Sequence, residues 1–367
     1  MRRFRLVVLA TALAVAVIAL GWPKEAHAAV TSTCGTGAIS GSMLQPTVWI
    51  ADHPSPSFDL SAEASYLARA CVRSLIVNET AETDLDGTVL DRFYAAPPSS
   101  PVSSARCAAS LGDVCSDAFL PAVLDAATRA GIKVYVGLQT PRRWDAQAVF
   151  GDWAAREAAT SAQIARDIWS QFGPAIAGWY LTPELEPTLV AHDWLGQPMP
   201  PQALWAPVTD YYRQTSAALH ALSPALPVLV APAFHPSAPA NDPAFATMLS
   251  AILGSGVDVV MVQDRTGEDP TVLSSLAQRF AAIRTQVSRY NQKSARPVAL
   301  WADAELYRIL PGGWQAAPVS QIKQAVSAEA PRVVQVVSFS FDHYISPLGF
   351  FGTSSEYATY QRSIGRS

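Results

Sequence analysis

The chain has 367 residues, with 26 Lys and Arg against 30 Asp and Glu; half of its residues are hydrophobic and only 15% are charged. This composition excludes a disordered tail, a collagen-like fibre and a small disulfide scaffold. The near-neutral balance argues against a nucleic-acid partner, and with only four lysines (Lys24, Lys133, Lys293 and Lys323) no lysine cluster is present.

The chain opens on Arg2, Arg3 and Arg5, an apolar run from Leu6 to Leu20, and then Ala26-His27-Ala28. That is the pattern of an export signal cut after Ala28. Residues 1–28 are therefore expected to be a signal peptide and 29–367 one secreted or extracytoplasmic domain. No membrane span is expected after cleavage, because no second apolar run of about 20 residues follows. An uncleaved anchor is the alternative. The cut removes four positive charges (Arg2, Arg3, Arg5, Lys24) and one negative (Glu25), making the remaining chain more acidic than the whole, which carries −4. Four cysteines in an oxidising compartment suggest two disulfides. Cys107 with Cys115 would close a short loop, and Cys34 with Cys71 would tie the start of the mature chain to the first helix; other pairings stay open. No Cys-x-x-Cys occurs, so a structural metal is not indicated.

Short, nearly continuous apolar runs lie at 38–44, 74–77, 133–138, 176–181, 228–231, 257–263, 298–302 and 333–341, as expected of parallel strands covered on both faces. Amphipathic helical patterns separate them, at 58–70, 117–130, 152–171, 204–222, 245–253, 272–290 and 319–328, with a last one near 356–364. In the second of these, Ser116 reads as the N-cap and Gly131 as the stop. Eight strand–helix units predict an α/β fold, a (β/α)8 TIM barrel, with a long disulfide-stapled insertion from Asn78 to Ser116 after strand 2. Its Ala95–Ser104 segment, rich in Pro and Ser, reads as loop. No Gly-x-Gly-x-x-Gly follows any strand, so no dinucleotide cofactor, and no cofactor of any kind, is expected.

Barrel sites are built where strands end, so the residues there are candidates. They are Gln45 after strand 1 and Asn78 after strand 2. Strand 4 contributes Trp179, Tyr180, Glu184 and Glu186, and strand 6 Gln263 and Asp264. Strand 7 contributes Trp301 and Glu305, and strand 8 Asp342, His343 and Tyr344. Carboxylates among aromatics suit a sugar, whose rings stack and whose hydroxyls hydrogen-bond. A retaining glycosidase needs two carboxyls about 5–5.5 Å apart. Glu184 and Glu305, on strands facing across the barrel, are the expected pair, with Glu186 and Asp303 as rivals. Trp144, Trp153, Trp169 and Trp205 read as packing residues, and Trp194 and Trp314 as speculative further subsites. No His-Glu-x-x-His or Gly-x-Ser-x-Gly is present, which argues against a catalytic metal and a serine esterase.

The runs ISGSML, GIKVYVGL, GWYLTPELE, VDVVMVQDRTG, LWADAELY and VVSFSFDHYISP, in this order, resemble the bacterial glycoside-hydrolase-like TIM-barrel family catalogued as "domain of unknown function 4434", from about Ile39 to about Tyr360. The family's Trp-Tyr-Ile-Pro-x-Glu places its Glu on Glu184, with the Pro displaced to Pro183. Its Gln-Asp-Gly falls on Gln263-Asp264-Arg265, departing at the glycine. Its strand-7 Glu falls on Glu305, and its His-Tyr-x-Ser-Pro on His343, Tyr344, Ser346 and Pro347. The family is similar in layout to retaining glycosidases with Glu after strands 4 and 7, although Pro183 stands where that clan commonly has Asn. The resemblance implies an exported glycosidase in which Glu184 protonates the leaving oxygen and Glu305 attacks the anomeric carbon. The alternatives are a carbohydrate-binding barrel without turnover, serving polysaccharide assembly or export, and an exported hydrolase of another bond. Neither the sugar nor the oligomeric state is specified by the sequence.

Overall fold

The computed structural model describes residues 34, 37–53, 59–84, 88–100, 102–107, 115–142, 151–189 and 197–366. The expected signal peptide, Trp144 and Trp194 lie outside these residues. Eight parallel strands form the centre: β1 (Gly41–Leu44), β2 (Ser74–Val77), β3 (Lys133–Gly137), β4 (Ile176–Leu181), β5 (Val228–Val230), β6 (Val259–Gln263), β7 (Ala299–Glu305) and β8 (Gln335–Phe339). Each is hydrogen-bonded to the next in chain order. The Ser40 amide donates to the Val336 carbonyl (2.9 Å), which brings the last strand back beside the first. Helices follow the strands: α1 (Leu60–Arg69), α2 (Phe119–Arg129), α3 (Trp153–Phe172), α4 (Gln202–Leu222), α5 (Pro243–Leu253), α6 (Leu276–Asn291), α7 (Val319–Glu329) and α8 (Ser354–Ser363). This is the (β/α)8 barrel that the sequence predicts.

The strands read as continuously apolar because both of their faces are buried. Met43, Ile76, Tyr135, Tyr180, Leu229, Met261, Trp301 and Val337, one from each strand, fill the barrel interior. Their neighbours on alternate positions, such as Leu44, Val77, Val136, Leu181 and Ala302, pack beneath the helices. Three local expectations change. The seventh strand runs on to Glu305, because Asp303, Ala304 and Glu305 stay in register with Val337, Ser338 and Phe339. The segment expected as one helix from 272 begins as a 3-10 turn (Pro270–Ser274) before α6. Ser116 is not the cap of α2: Ala118 occupies that position, and only the carbonyl of Ser116 takes part, accepting from the Phe119 amide. Gly131 does end α2, at a φ of +69° that suits glycine.

The insertion after β2 is more ordered than a loop. Ala81–Thr83 and Val89–Arg92 pair antiparallel, and Ala81–Thr83 also pairs in parallel with Gln139–Pro141 just beyond β3. Arg142 bridges Glu82 on this small sheet and lies 3.8 Å from Asp91. Disulfides join Cys107 to Cys115 and Cys34 to Cys71, with Cα–Cα distances of 5.3 and 5.9 Å.

The seam between the last and first units is held partly by acids. Glu63 of α1 is buried and accepts the Ser346 hydroxyl, and burial together with nearby Asp342 pushes its carboxyl well above the ordinary range. Asp342, just after β8, is pushed up by its own burial to about 7. Both acids therefore keep their protons in the folded chain at mildly acid pH, whereas in the unfolded chain they ionise near pH 4. The contribution of Asp342 is fully present in acid and is lost as pH rises through about 7; that of Glu63, also raised, has the same sign. The melting temperature is expected to be lower at pH 8 than at pH 5.5, and D342N to flatten that loss. A thermal melt that stabilises steadily from pH 5.5 to 8 would show that these carboxyls are ionised in the fold.

Candidate active site

A closed barrel fixes which side chains face its axis, since alternate residues on a strand point the same way. Following the inward series upward from the apolar interior layer leads directly to polar groups. Tyr180 is followed by Thr182, Glu184 and Glu186, Met261 by Gln263 and Arg265, and Trp301 by Asp303 and Glu305. These ends open into a cavity of about 400 Å³ lined by Gln45, Asn78, Thr140, Thr182, Glu184, Glu186, Leu189, Ala233, Gln263, Arg265 and Phe339. Gly137 lets the walls close here, because a Cβ at that position would fall on the backbone carbonyl of Asn78.

Glu184 is the best-organised group in the cavity. Tyr180 donates its hydroxyl to one carboxylate oxygen (2.7 Å), and the Gln263 amide donates to the other (2.6 Å). Gln263 is itself fixed by a bond from the same nitrogen to the Ala231 carbonyl (3.1 Å). Burial raises the Glu184 pKa, while the two donors and the charge of Arg265 pull it back. Tyr180, fully buried in the barrel interior, thus acts on the cavity through Glu184.

The backbone of Arg265 adopts a φ of +57°. A non-glycine residue in that region costs roughly 1–2 kcal/mol. Two carboxylates hold the guanidinium in place, Glu186 at 3.1 Å and Glu268 at 2.8 Å. Glu186, which also accepts the Thr188 hydroxyl (2.6 Å), lines the cavity as a charge already paired.

Glu305 points inward but does not line the cavity. It is 4% exposed, and its carboxylate accepts the Gly267 amide (2.8 Å). Tyr307 covers it from the side: a Cβ on Gly267 would strike the Tyr307 ring, so the ring lies directly on that glycine. Asp264, fully buried, has its side chain behind the strands rather than in the cavity. It accepts the Thr266 amide (2.9 Å), the Thr266 hydroxyl (2.9 Å) and the Glu305 amide (3.2 Å). Burial raises Asp264 to about 6. Burial and then Asp264 push Glu305 to about 8. Glu329 of α7 is buried against Asp264, receives no donor on either oxygen, and is held neutral first by burial and then by Asp264. Asp303 is 2% exposed and its pKa is raised well above the ordinary range by burial, then by Glu184, Glu305 and Asp264; it stands within the influence of both expected catalytic carboxyls.

Two of the expected aromatic residues lie away from the cavity lining. Trp179 faces outward beneath the helices, where its ring nitrogen donates to the Ser223 hydroxyl (2.9 Å), because it is out of phase with Tyr180 and Glu184. Trp301 has the inward phase but lies two layers below Glu305, edge-on to Tyr135 at 5.5 Å in the barrel interior. Neither ring lines the cavity. Asp342 is buried in the seam, and His343 pairs with Asp52 (3.1 Å) beside Phe350 and Phe351, so both lie outside the cavity lining. Tyr344 packs between Tyr307 and Phe351, near Glu305. Thr140, Thr182, Leu189, Ala233 and Phe339 also line the cavity and are not among the sequence candidates, although inward phase marks Thr182; Arg265 stands out in the sequence only as a departure from glycine.

A second cavity, about 450 Å³, lies on the outer layer between α5 and α6. Its buried cation, Arg279, is engaged by the carbonyls of Pro236 and Ala238 and lies over the Phe234 ring, and among the described residues that line it Asp242 is the one carboxylate. The barrel mouth, where acids and donors converge, is the chemical site. Among the described residues, no group of three or more His, Cys, Asp or Glu is arranged to hold a metal ion.

Solved structures share this fold. An inferred alpha-L-fucosidase of Bacteroides thetaiotaomicron is similar with a TM-score of 0.66 at 15% identity, over 92% of this chain and 96% of its own. A glucosidase of Croceicoccus marinus has a TM-score of 0.52 at 14% identity, over 91% and 68%. A family 1 b-glucosidase of Thermotoga maritima has a TM-score of 0.51 at 9% identity, over 90% and 99%. At such identities the likeness is one of fold. No curated protein matches the sequence. A family model does match, over residues 78–349, and the chain belongs to that family, described as Domain of unknown function (DUF4434).

Proposed function

We propose that the protein is an exported glycoside hydrolase acting at the Glu184 cavity on a carbohydrate substrate. The single observation that carries the reading is Glu184 itself, an inward carboxyl at the barrel mouth fixed by Tyr180 and Gln263 among hydroxyl and amide groups suited to sugar hydroxyls. The fold of the similar structures, all named as glycosidases, supports it. Export is supported by the N-terminal signal pattern and by the two disulfides.

Glu305 is the partner carboxyl. Protonation favours roles opposite to those the resemblance implies. Burial and then Asp264 push Glu305 to about 8, so it holds a proton at neutral pH; burial raises Glu184 too, but no neighbouring carboxylate adds to that rise, and Tyr180, Gln263 and Arg265 oppose it. Glu305 then protonates the leaving oxygen, and Glu184 attacks the anomeric carbon. Water releases the sugar with retention, Glu305 acting as base. The position of Glu305 behind Tyr307 favours a second reading, a carbohydrate-binding barrel without turnover.

Release of reducing ends from a glycan panel separates the two. E184Q and E305Q are each expected to lower kcat by at least about 10²-fold. Hydrolysis undiminished in either variant overturns the assignment of that residue, and no hydrolysis by the native chain leaves the binding reading. Proton NMR of the first-formed anomer is expected to show retention.

The pH profile tests the roles separately. A Glu305 acid loses activity as pH rises through about 8, because the protonated form is the active one. Removing the negative charge of Asp264 with D264N is expected to move that alkaline limb about one pH unit toward acid. An alkaline limb that stays in place would show that Asp264 does not act on the proton donor.

A further inference from the structure

We propose that the hairpin after β7 carries a second carbohydrate-binding surface, on which Trp314 stacks against a pyranose ring of a chain leaving the Glu184 cavity. The proposal rests on reading that cavity as a carbohydrate site, and it makes the substrate an oligomer or polymer rather than a single sugar.

The hairpin pairs Tyr307–Leu310 with Gly313–Ala316, placing Tyr307 opposite Ala316 and Ile309 opposite Trp314. Directly paired residues share a face, as do alternate ones, so Tyr307, Ile309, Trp314 and Ala316 lie on one side. The other side carries Arg308, which is anchored to Gln321 of α7. Tyr307 is almost fully buried against the site, while Trp314 is 45% exposed and rests on Tyr307 with ring centroids 4.4 Å apart. Tyr307 in turn meets Phe339, a wall of the cavity, at 6.1 Å. Two ring contacts therefore lead from the cavity wall to an open indole face.

This face is held rather than left loose. The Ile309 amide donates to the Gly267 carbonyl (3.0 Å), and the amide of the same glycine binds Glu305. A large exposed ring with its inner side backed by a second ring offers its outer side to a flat apolar partner. The C–H face of a pyranose is such a partner, and its edge hydroxyls stay in water. A protein partner fits less well. Interfaces of stable complexes bury about 800 Å² on each side. Here the exposed large apolar residues are Ile309, Leu310 and Trp314, next to a polar cavity.

The test uses the full chain with E184Q, to prevent cleavage, alone and combined with W314A or W314F. Each is run by affinity electrophoresis through xylan, mixed-linkage β-glucan, galactomannan and dextran. Retardation by at least one polymer is expected, weakened tenfold or more by W314A and largely restored by W314F. Retardation that W314A leaves unchanged overturns the surface but not the cavity reading. So does the absence of retardation by every polymer when the native chain hydrolyses small aryl glycosides. Light scattering that finds a dimer abolished by W314A would reassign the face to self-association and overturn the proposal. Neither retardation nor hydrolysis of any probe would overturn both readings.

Discussion

Closure of eight parallel strands is the constraint from which the site follows. Once the last strand returns to the first, every strand must send alternate side chains toward one axis. Low in the barrel the inward positions are apolar and fill the interior, with Tyr135, Tyr180 and Trp301 supplying most of the bulk. Higher up the same phase delivers Thr182, Glu184, Gln263, Asp303 and Glu305. The site is the upper end of the packing register, and its polar groups inherit their direction from the core beneath them.

That register also decides the charge state of the mouth. Carboxyls crowded into a poorly hydrated space cannot all ionise, so protons settle where compensation is weakest. Glu329 and Asp303 lie deep with few donors and stay neutral. Asp264 collects Thr266 and the Glu305 amide, which lets it ionise near 6 and leaves Glu305 to hold its proton to about 8. Glu184, with two donors and Arg265 nearby, is the acid best equipped to carry charge into the cavity. The separation of roles comes from the charge of Asp264, which raises Glu305 and not Glu184, rather than from the number of donors, since Gly267 and Tyr307 serve Glu305 as Tyr180 and Gln263 serve Glu184.

The strands, the helices and the two disulfides were legible in the sequence because each leaves a local mark: two-sided burial, helical period and cysteine spacing. The polar rim was legible as a list but not as a surface. Trp179 was placed at the site because it stands near Glu184 in sequence, although its odd phase sends it to the opposite face. Trp301 has the right phase and the wrong depth, since β7 continues four residues beyond it. His343 and Asp342 follow β8, yet the short helix Phe341–Tyr344 turns them toward Asp52 and the seam. Arg265 was visible only as a departure from the family glycine. What it does depends on Glu268, three residues on, and on Glu186, 79 residues away in sequence, which only the closed barrel brings to it.

Gly267 connects these features more directly than any charged residue. Its amide holds the Glu305 carboxylate, its carbonyl anchors the hairpin at Ile309, and its missing side chain admits the Tyr307 ring. Tyr307 then hydrogen-bonds Glu305 on one side, opposing the rise in its pKa, and supports Trp314 on the other. A side chain at position 267 would displace that ring, and the hydrogen bond to the acid and the backing of the exposed indole would shift together. The depth at which Glu305 keeps its proton and the height at which Trp314 meets solvent are thus set by one close approach, between a glycine after β6 and a tyrosine after β7.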